Sequence, residues 1–184
     1  MLTLRELVYA LYGVGRLLRF RVDGFDAFDA SPRGFWRSFW AALLVLPVWG
    51  VILLDQTGEH GASARFAITE TIGYAISWLA YPLVMLKIAD LLDRWPRYYS
   101  YMVAYNWFQL LQAAAWLPLV LLVKVQAPPG LIAIVWLATH GALMTYNWFL
   151  ARKGLRVDAA PAIAIVVIDL LLSLVVDRFA EMIG

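Results

Sequence analysis

"PAIAIVVIDLLLSLVV", Pro161–Val176, is an apolar run in which Asp169 is the one charged residue. Extended to 160–180, it reaches about 20 residues, the length that carries an α-helix across a hydrocarbon core about 30 Å thick. Four similar runs precede it, at about 36–54, 67–88, 101–123 and 131–150. The composition of the 184-residue chain agrees: 63% of residues are apolar and 15% charged, with a mean hydropathy of +0.72. A soluble domain has about 45–50% apolar and about 25% charged residues. The expected fold is therefore all-α, a polytopic membrane bundle of five transmembrane helices over 36–184. A shorter segment, 1–35, comes before it.

Nine Trp, nine Tyr and nine Phe suit such a chain, because amphipathic rings favour the membrane–water interface. There is no Cys, which excludes disulfides, thiolate metal sites and thiol catalysis. Arg5, Glu6, Arg16 and Arg19 interrupt the first 20 residues, so these do not read as a cleaved signal. A net charge of +2 is too small to suggest a nucleic-acid partner.

The distribution of that charge sets an orientation. Twelve of the fifteen Lys and Arg fall on one side of the five spans. They are Arg5, Arg16, Arg19, Arg21, Arg33 and Arg37 before the first, Lys87, Arg94 and Arg97 after the second, and Arg152, Lys153 and Arg156 after the fourth. Arg65, Lys124 and Arg178 fall on the other. Basic loops are retained in the cytoplasm, so the N-terminus is expected inside and the C-terminus outside.

Within 1–35, Leu4, Leu7, Val8, Leu11 and Leu18 recur at helical spacing with Arg5, Arg16 and Arg19 off the stripe. This predicts a short amphipathic helix lying in the interface, with Gly13 and Gly15 weakening it. Anionic headgroups are the expected partners of Arg5, Arg16, Arg19, Arg33 and Arg37. In "DGFDAFDASPRGFW", Asp23, Asp26 and Asp29 lack the alternate-residue spacing of a calcium loop. The stretch reads instead as a headgroup-level loop anchored by Phe25 and Phe28. Ser31 then caps the next helix, with Pro32 at its first position.

"YNWF" occurs at Tyr105–Phe108 and again at Tyr146–Phe149. One copy opens the third span and the other closes the fourth, so both fall at the basic end of adjacent antiparallel helices. Tyr105, Asn106 and Trp107 with Tyr146, Asn147 and Trp148 are expected to clamp the two spans, the amides bonding to neighbouring helices. Trp36 also precedes Pro47 by the interval at which Trp107 precedes Pro118, an offset that a parallel duplication would leave.

"FDASPRGFWRSFWAALLVLP", "YYSYMVAYNWFQLLQ" and "YNWFLARKGL…PAIAIVVIDLLLSLVVD" resemble a family of small five-span inner-membrane proteins of alphaproteobacteria. The resemblance implies a bacterial inner-membrane location and no particular activity. In organisation alone, a cytoplasmic segment followed by five spans is similar to the Yip-domain membrane proteins, which implies membrane traffic or shaping rather than catalysis.

Ionisable and polar groups inside spans are rare and usually face the bundle interior. Asp169 is followed four residues on by Ser173, and His140 seven residues on by Asn147. Each of Asp169 and His140 lies about ten residues into its span, near the bilayer midplane, which predicts that the two meet. Glu70, Tyr74, Ser77 and Tyr81 form a stripe on the second span, and Gln109 and Gln112 add a polar arc on the third. Such a network either fixes helix register in a non-enzymatic scaffold or assembly partner, the leading expectation, or serves a small proton-linked transporter or channel through an Asp169/His140 pair. The scaffold's partner would be another membrane protein or a second copy. Asp90 and Asp93 form a lone DxxD with no second acidic motif. They are expected to pair with Lys87, Arg94 or Arg97, so neither an enzyme nor a cofactor is expected.

Overall fold

Thr3 starts the first helix, α1 (Leu4–Leu17): its Oγ1 accepts from the Glu6 amide while the Glu6 carboxylate accepts from the Thr3 amide, a capping box that satisfies two otherwise orphaned donors. This computed structural model describes residues 3–60 and 64–183, the side chains of 52, 54–60, 64, 67, 177 and 180–183 excepted. α1 runs unbroken through Gly13 and Gly15. Gly13 is a point of close approach: a Cβ there would come within 2.9 Å of the Phe28 ring and 3.0 Å of the Gly24 carbonyl oxygen. The 3-10 turn Val22–Ala27 consequently lies directly on α1.

α1 has two apolar sides. Ala10, Gly13, Val14 and Leu17, at i, i+3, i+4 and i+7, are buried against the protein. Leu4, Val8, Leu11 and Leu18 are exposed, Leu4 to 77%, the surface an interfacial helix presents to lipid. Phe25 and Phe28 do not act as headgroup anchors. Phe28 is buried and Phe25 is half-buried in the core, since the turn folds back onto the bundle.

Ser31 Oγ accepts from the Gly34 amide at 3.0 Å, with Pro32 at the first position of α2 (Pro32–Ser38). The first span breaks at Phe39 before α3 (Trp40–His60). At the break Ser38 Oγ donates to the Phe35 carbonyl at 2.7 Å, offering that carbonyl a side-chain partner in competition with the helix ladder. The remaining spans are continuous: α4 (Ala64–Leu91), α5 (Tyr98–Lys124), α6 (Pro129–Gly154) and α7 (Ala159–Ile183). A 3-10 turn, Trp95–Arg97, leads into α5.

Five helical stretches are long and apolar enough to cross a membrane, among them Pro32–Val51, which joins α2 to α3. No strand occurs among the described residues. Around the bundle the spans follow the order α3, α5, α6, α7, α4, and the thin seam is between α3 and α4. α4 packs chiefly against α7.

α1, α4, α5 and α6 end alike. Phe20, Asp93, Gln126 and Arg156 have φ of 55°, 54°, 52° and 55°. Each is followed by an amide that bonds five residues back, such as Arg94 N to Ala89 O at 2.7 Å and Ala127 N to Leu122 O at 3.0 Å. These are Schellman closures made without glycine.

Burial is concentrated at the end of the bundle where the basic loops lie. On α5, residues 101–108 are all buried, whereas no residue from 109 onward is. Met85, Leu150 and Leu155 are enclosed around them. Trp36 and Trp107, equivalent under the duplication offset, have opposite fates: 67% exposed on α2 and 4% exposed on α5.

Candidate functional site

Tyr98, Tyr101 and Tyr105 lie on one face of α5 and bond to helices across the bundle. Tyr98 OH donates to the Pro82 carbonyl at 3.1 Å, and the hydroxyls of Tyr101 and Tyr81 share a hydrogen 2.5 Å apart. Tyr105 OH donates to Asp169 Oδ1 at 2.7 Å. The Tyr81 and Tyr105 rings stack with centroids 4.3 Å apart. In a water-poor interior a phenol needs such a partner.

Asp169 receives a second donor. Asn147 Nδ2 points at its Oδ2 at 3.4 Å. Both carboxylate oxygens are thus held by neutral groups, one from α5 and one from α6. His140 does not meet it: among the described residues no hydrogen bond joins the two. His140 Nδ1 lies 3.3 Å from the Trp136 carbonyl of its own helix. A carbonyl can only accept, so Nδ1 carries the proton. The imidazole is wedged between Trp116 and Trp136, with centroids 4.6 and 3.9 Å away. The expected direct pair is replaced by Tyr105–Asp169–Asn147, because these donors reach the carboxylate from the closed end of the bundle.

Asp169 and His140 nevertheless line one cavity of about 480 Å³ between the spans. Every member of the expected polar network except Glu70 lines it: Tyr74, Ser77 and Tyr81 from α4, Gln109 and Gln112 from α5, and Ser173 from α7. Glu70 lies a turn beyond Tyr74. Ser77 and Ser173 are exposed, not covered by protein. Their hydroxyls bond back to the carbonyls of Tyr74 and Leu170. Gln112 Oε1 and Asn147 Oδ1 are buried without a partner.

The aromatic wall is the part that sequence reasoning missed. Trp49, Trp78 and Trp116 line the cavity, with Trp49 against Tyr74 at 4.9 Å. A signal was present: Tyr105, Gln109, Gln112 and Trp116 repeat at i, i+4, i+7 and i+11, the spacing of one helix face.

The amides of both YNWF copies bond to neighbouring helices, though to α2 and α7 and not to each other's span. Asn106, 1% exposed, donates to Ser38 Oγ at 2.8 Å and ties α5 to α2, while Asn147 turns to α7. Rings join the two spans instead, Phe108 stacking on Tyr146 at 4.3 Å. Trp107 is buried, whereas Trp148 Nε1 donates to the Ala159 carbonyl at 3.4 Å under Arg152.

Of the Arg residues expected at headgroups, two form ion pairs within the chain. Arg37 pairs with Glu6. Arg16 forks onto Asp23, a hydrogen bond that holds the Asp23 carboxyl below its usual range and raises the Arg16 guanidinium above its own. Arg5, Arg19 and Arg33 are exposed, Arg5 lying over the Tyr9 ring at 5.5 Å. Asp90 and Asp93 are exposed and form no ion pair among the described residues. Arg94 Nη1 donates instead to the Asp93 carbonyl at 2.9 Å. No group of three metal-ligating side chains occurs among the described residues.

Comparison with protein-family models gives no match, and comparisons with curated proteins and with solved structures give none either.

Proposed function

We propose that the chain is a multi-pass protein of a bacterial inner membrane, with its N-terminus in the cytoplasm and its C-terminus in the periplasm, that admits a small polar solute to the cavity between its spans. The observation that carries this reading is the cavity itself. Asp169 lies ten residues past Ala159, about 15 Å along α7 at about 1.5 Å per residue, at a depth where lipid surrounds the bundle. Polar groups there need protein, water or solute as partners. Gln112 and Asn147 each retain a buried acceptor without one. A scaffold or assembly partner, the leading expectation from sequence, accounts for the bundle but gives this cavity no task. The proton-linked alternative retains its carboxylate, with Tyr105 and Asn147 in the place of His140.

The Cys-free background supplies the test. Ser77→Cys and Ser173→Cys should react with a membrane-impermeant maleimide added from the periplasmic side and remain unlabelled from the cytoplasmic side. Reporter fusions near 94 and 155 should read cytoplasmic, and one near 127 periplasmic. Labelling from neither side overturns the solute reading; any other fusion order overturns the orientation.

A further inference from the structure

The chemistry of the walls specifies the solute more closely, given the solute reading above. We propose that the cavity binds a small substituted ammonium ion, with Asp169 and three tryptophan side chains in its lining.

Charge is the first argument. Asp169 is the one carboxylate among the residues lining the cavity, and neither Lys nor Arg is among them. Its oxygens accept from a phenol and an amide, both neutral. The site therefore presents an acidic group with no basic partner, the counter-charge that an entering cation would supply. A carboxylate oxygen has room for more than one donor, so a cation can approach Asp169 without displacing Tyr105.

The aromatic wall decides which kind of cation. Trp49, Trp78 and Trp116 line the same cavity with Tyr74, Tyr81 and Tyr105. Aromatic faces carry the negative part of the ring quadrupole, and cages of them hold quaternary and methylated ammonium groups. A bare divalent ion wants six or more oxygen ligands, and no set of three acidic or His ligands is grouped here among the described residues. A volume of about 480 Å³ falls in the range of small-molecule sites, about 300–1,000 Å³, and far exceeds what one inorganic ion fills.

The ammonium group could belong to a free solute or to a lipid headgroup. Depth favours the solute: a headgroup would have to leave the interface to reach Asp169.

The test uses the full chain in lipid nanodiscs. Choline is compared with its uncharged carbon isostere, in which a tert-butyl group replaces trimethylammonium. Binding is read by equilibrium dialysis and by tryptophan fluorescence. Choline should bind at least about tenfold more tightly than the isostere. Asp169→Asn, which preserves an acceptor for Tyr105, should abolish that preference. Trp116→Leu, which leaves the charge in place, should weaken choline binding several-fold. Should the isostere bind as well as choline, the ammonium assignment is overturned while the solute reading stands. Should neither bind, and the cysteines at 77 and 173 also resist the maleimide, both fail together. The source is read from the discs. Equal choline binding in phosphatidylglycerol and phosphatidylcholine identifies a free solute. Loss confined to phosphatidylcholine identifies the headgroup as the occupant, which upholds the ammonium chemistry and overturns the free-solute assignment.

Discussion

The two halves of the bundle differ although the same helices build both. At the basic end, α1, the Val22–Ala27 turn and α2 fold over the spans, and residues 101–108 of α5 are wholly enclosed. Toward the other end the helices surround a cavity of about 480 Å³, and the α5 side chains become half-buried or exposed. Hydropathy does not distinguish these halves, since lipid tails are as apolar as a Leu core. Directional contacts do. The closed half holds the phenol bonds of Tyr98 and Tyr101 and the Asn106–Ser38 bond. In the open half Tyr74 donates to the Ala42 carbonyl of α3, whereas Ser77 and Ser173 bond only to their own helices.

Truncating a buried leucine should separate the halves most. Leu150, fully enclosed, is expected to cost about 2 kcal/mol or more on replacement by Ala, the lower end for buried leucines. Leu143, on the cavity wall, should cost under about 1 kcal/mol, because space already adjoins it. Unfolding in mixed detergent micelles measures both. Equal losses would mean that the halves are equally well packed.

Tyr105→Phe tests the boundary between them. It removes the closer donor to Asp169 and leaves Asn147 at 3.4 Å, an expected loss of about 1–3 kcal/mol for a buried group left short of a partner. Adding Asp169→Leu should recover part of that loss, since the stranded carboxylate is removed. A double variant as unstable as the sum of the two single ones would show that the bond contributes nothing.

The smallest effect should come from the helix ends. Asp93 at the basic end and Gln126 at the opposite end both hold positive φ, a conformation glycine adopts without the Cβ penalty. Gly at either position should stabilise by about 0.5 kcal/mol, the relief of strain being partly offset by a freer unfolded chain. Equal gains would confine the difference between halves to their interiors; unequal gains would extend it to the loops.

The five runs of apolar residues were legible because a lipid-spanning helix must be apolar along most of its length, and the Ser31–Pro32 cap was legible because capping is local. The polar stripe residues line the cavity, Glu70 excepted, although Ser77 and Ser173 are also exposed. Partners were not legible. Asp169 pairs with Tyr105 rather than His140 because the helix rotations and the ring order decide which side chains meet. Depth along a span supplies neither. The break at Phe39 was hidden for a similar reason: Ser38 is an ordinary helix residue until Asn106 and the Phe35 carbonyl both claim its hydroxyl.

The thin seam between α3 and α4 bears on how the chain is made. Two consecutive pairs, α5 with α6 and α6 with α7, can pack as soon as both members have left the translocon. α4 packs only lightly on its sequence neighbours, because its main neighbour, α7, is the last to be synthesised. Through the production of α5 and α6 it is held by Tyr74 against α3 and by Tyr81 against α5, while its broader face waits for α7. A nascent chain halted before Asp158 therefore leaves Tyr105 and Asn147 without the Asp169 carboxylate that both of them donate to, a recognisable signal for membrane quality control, and the arrival of α7 withdraws it.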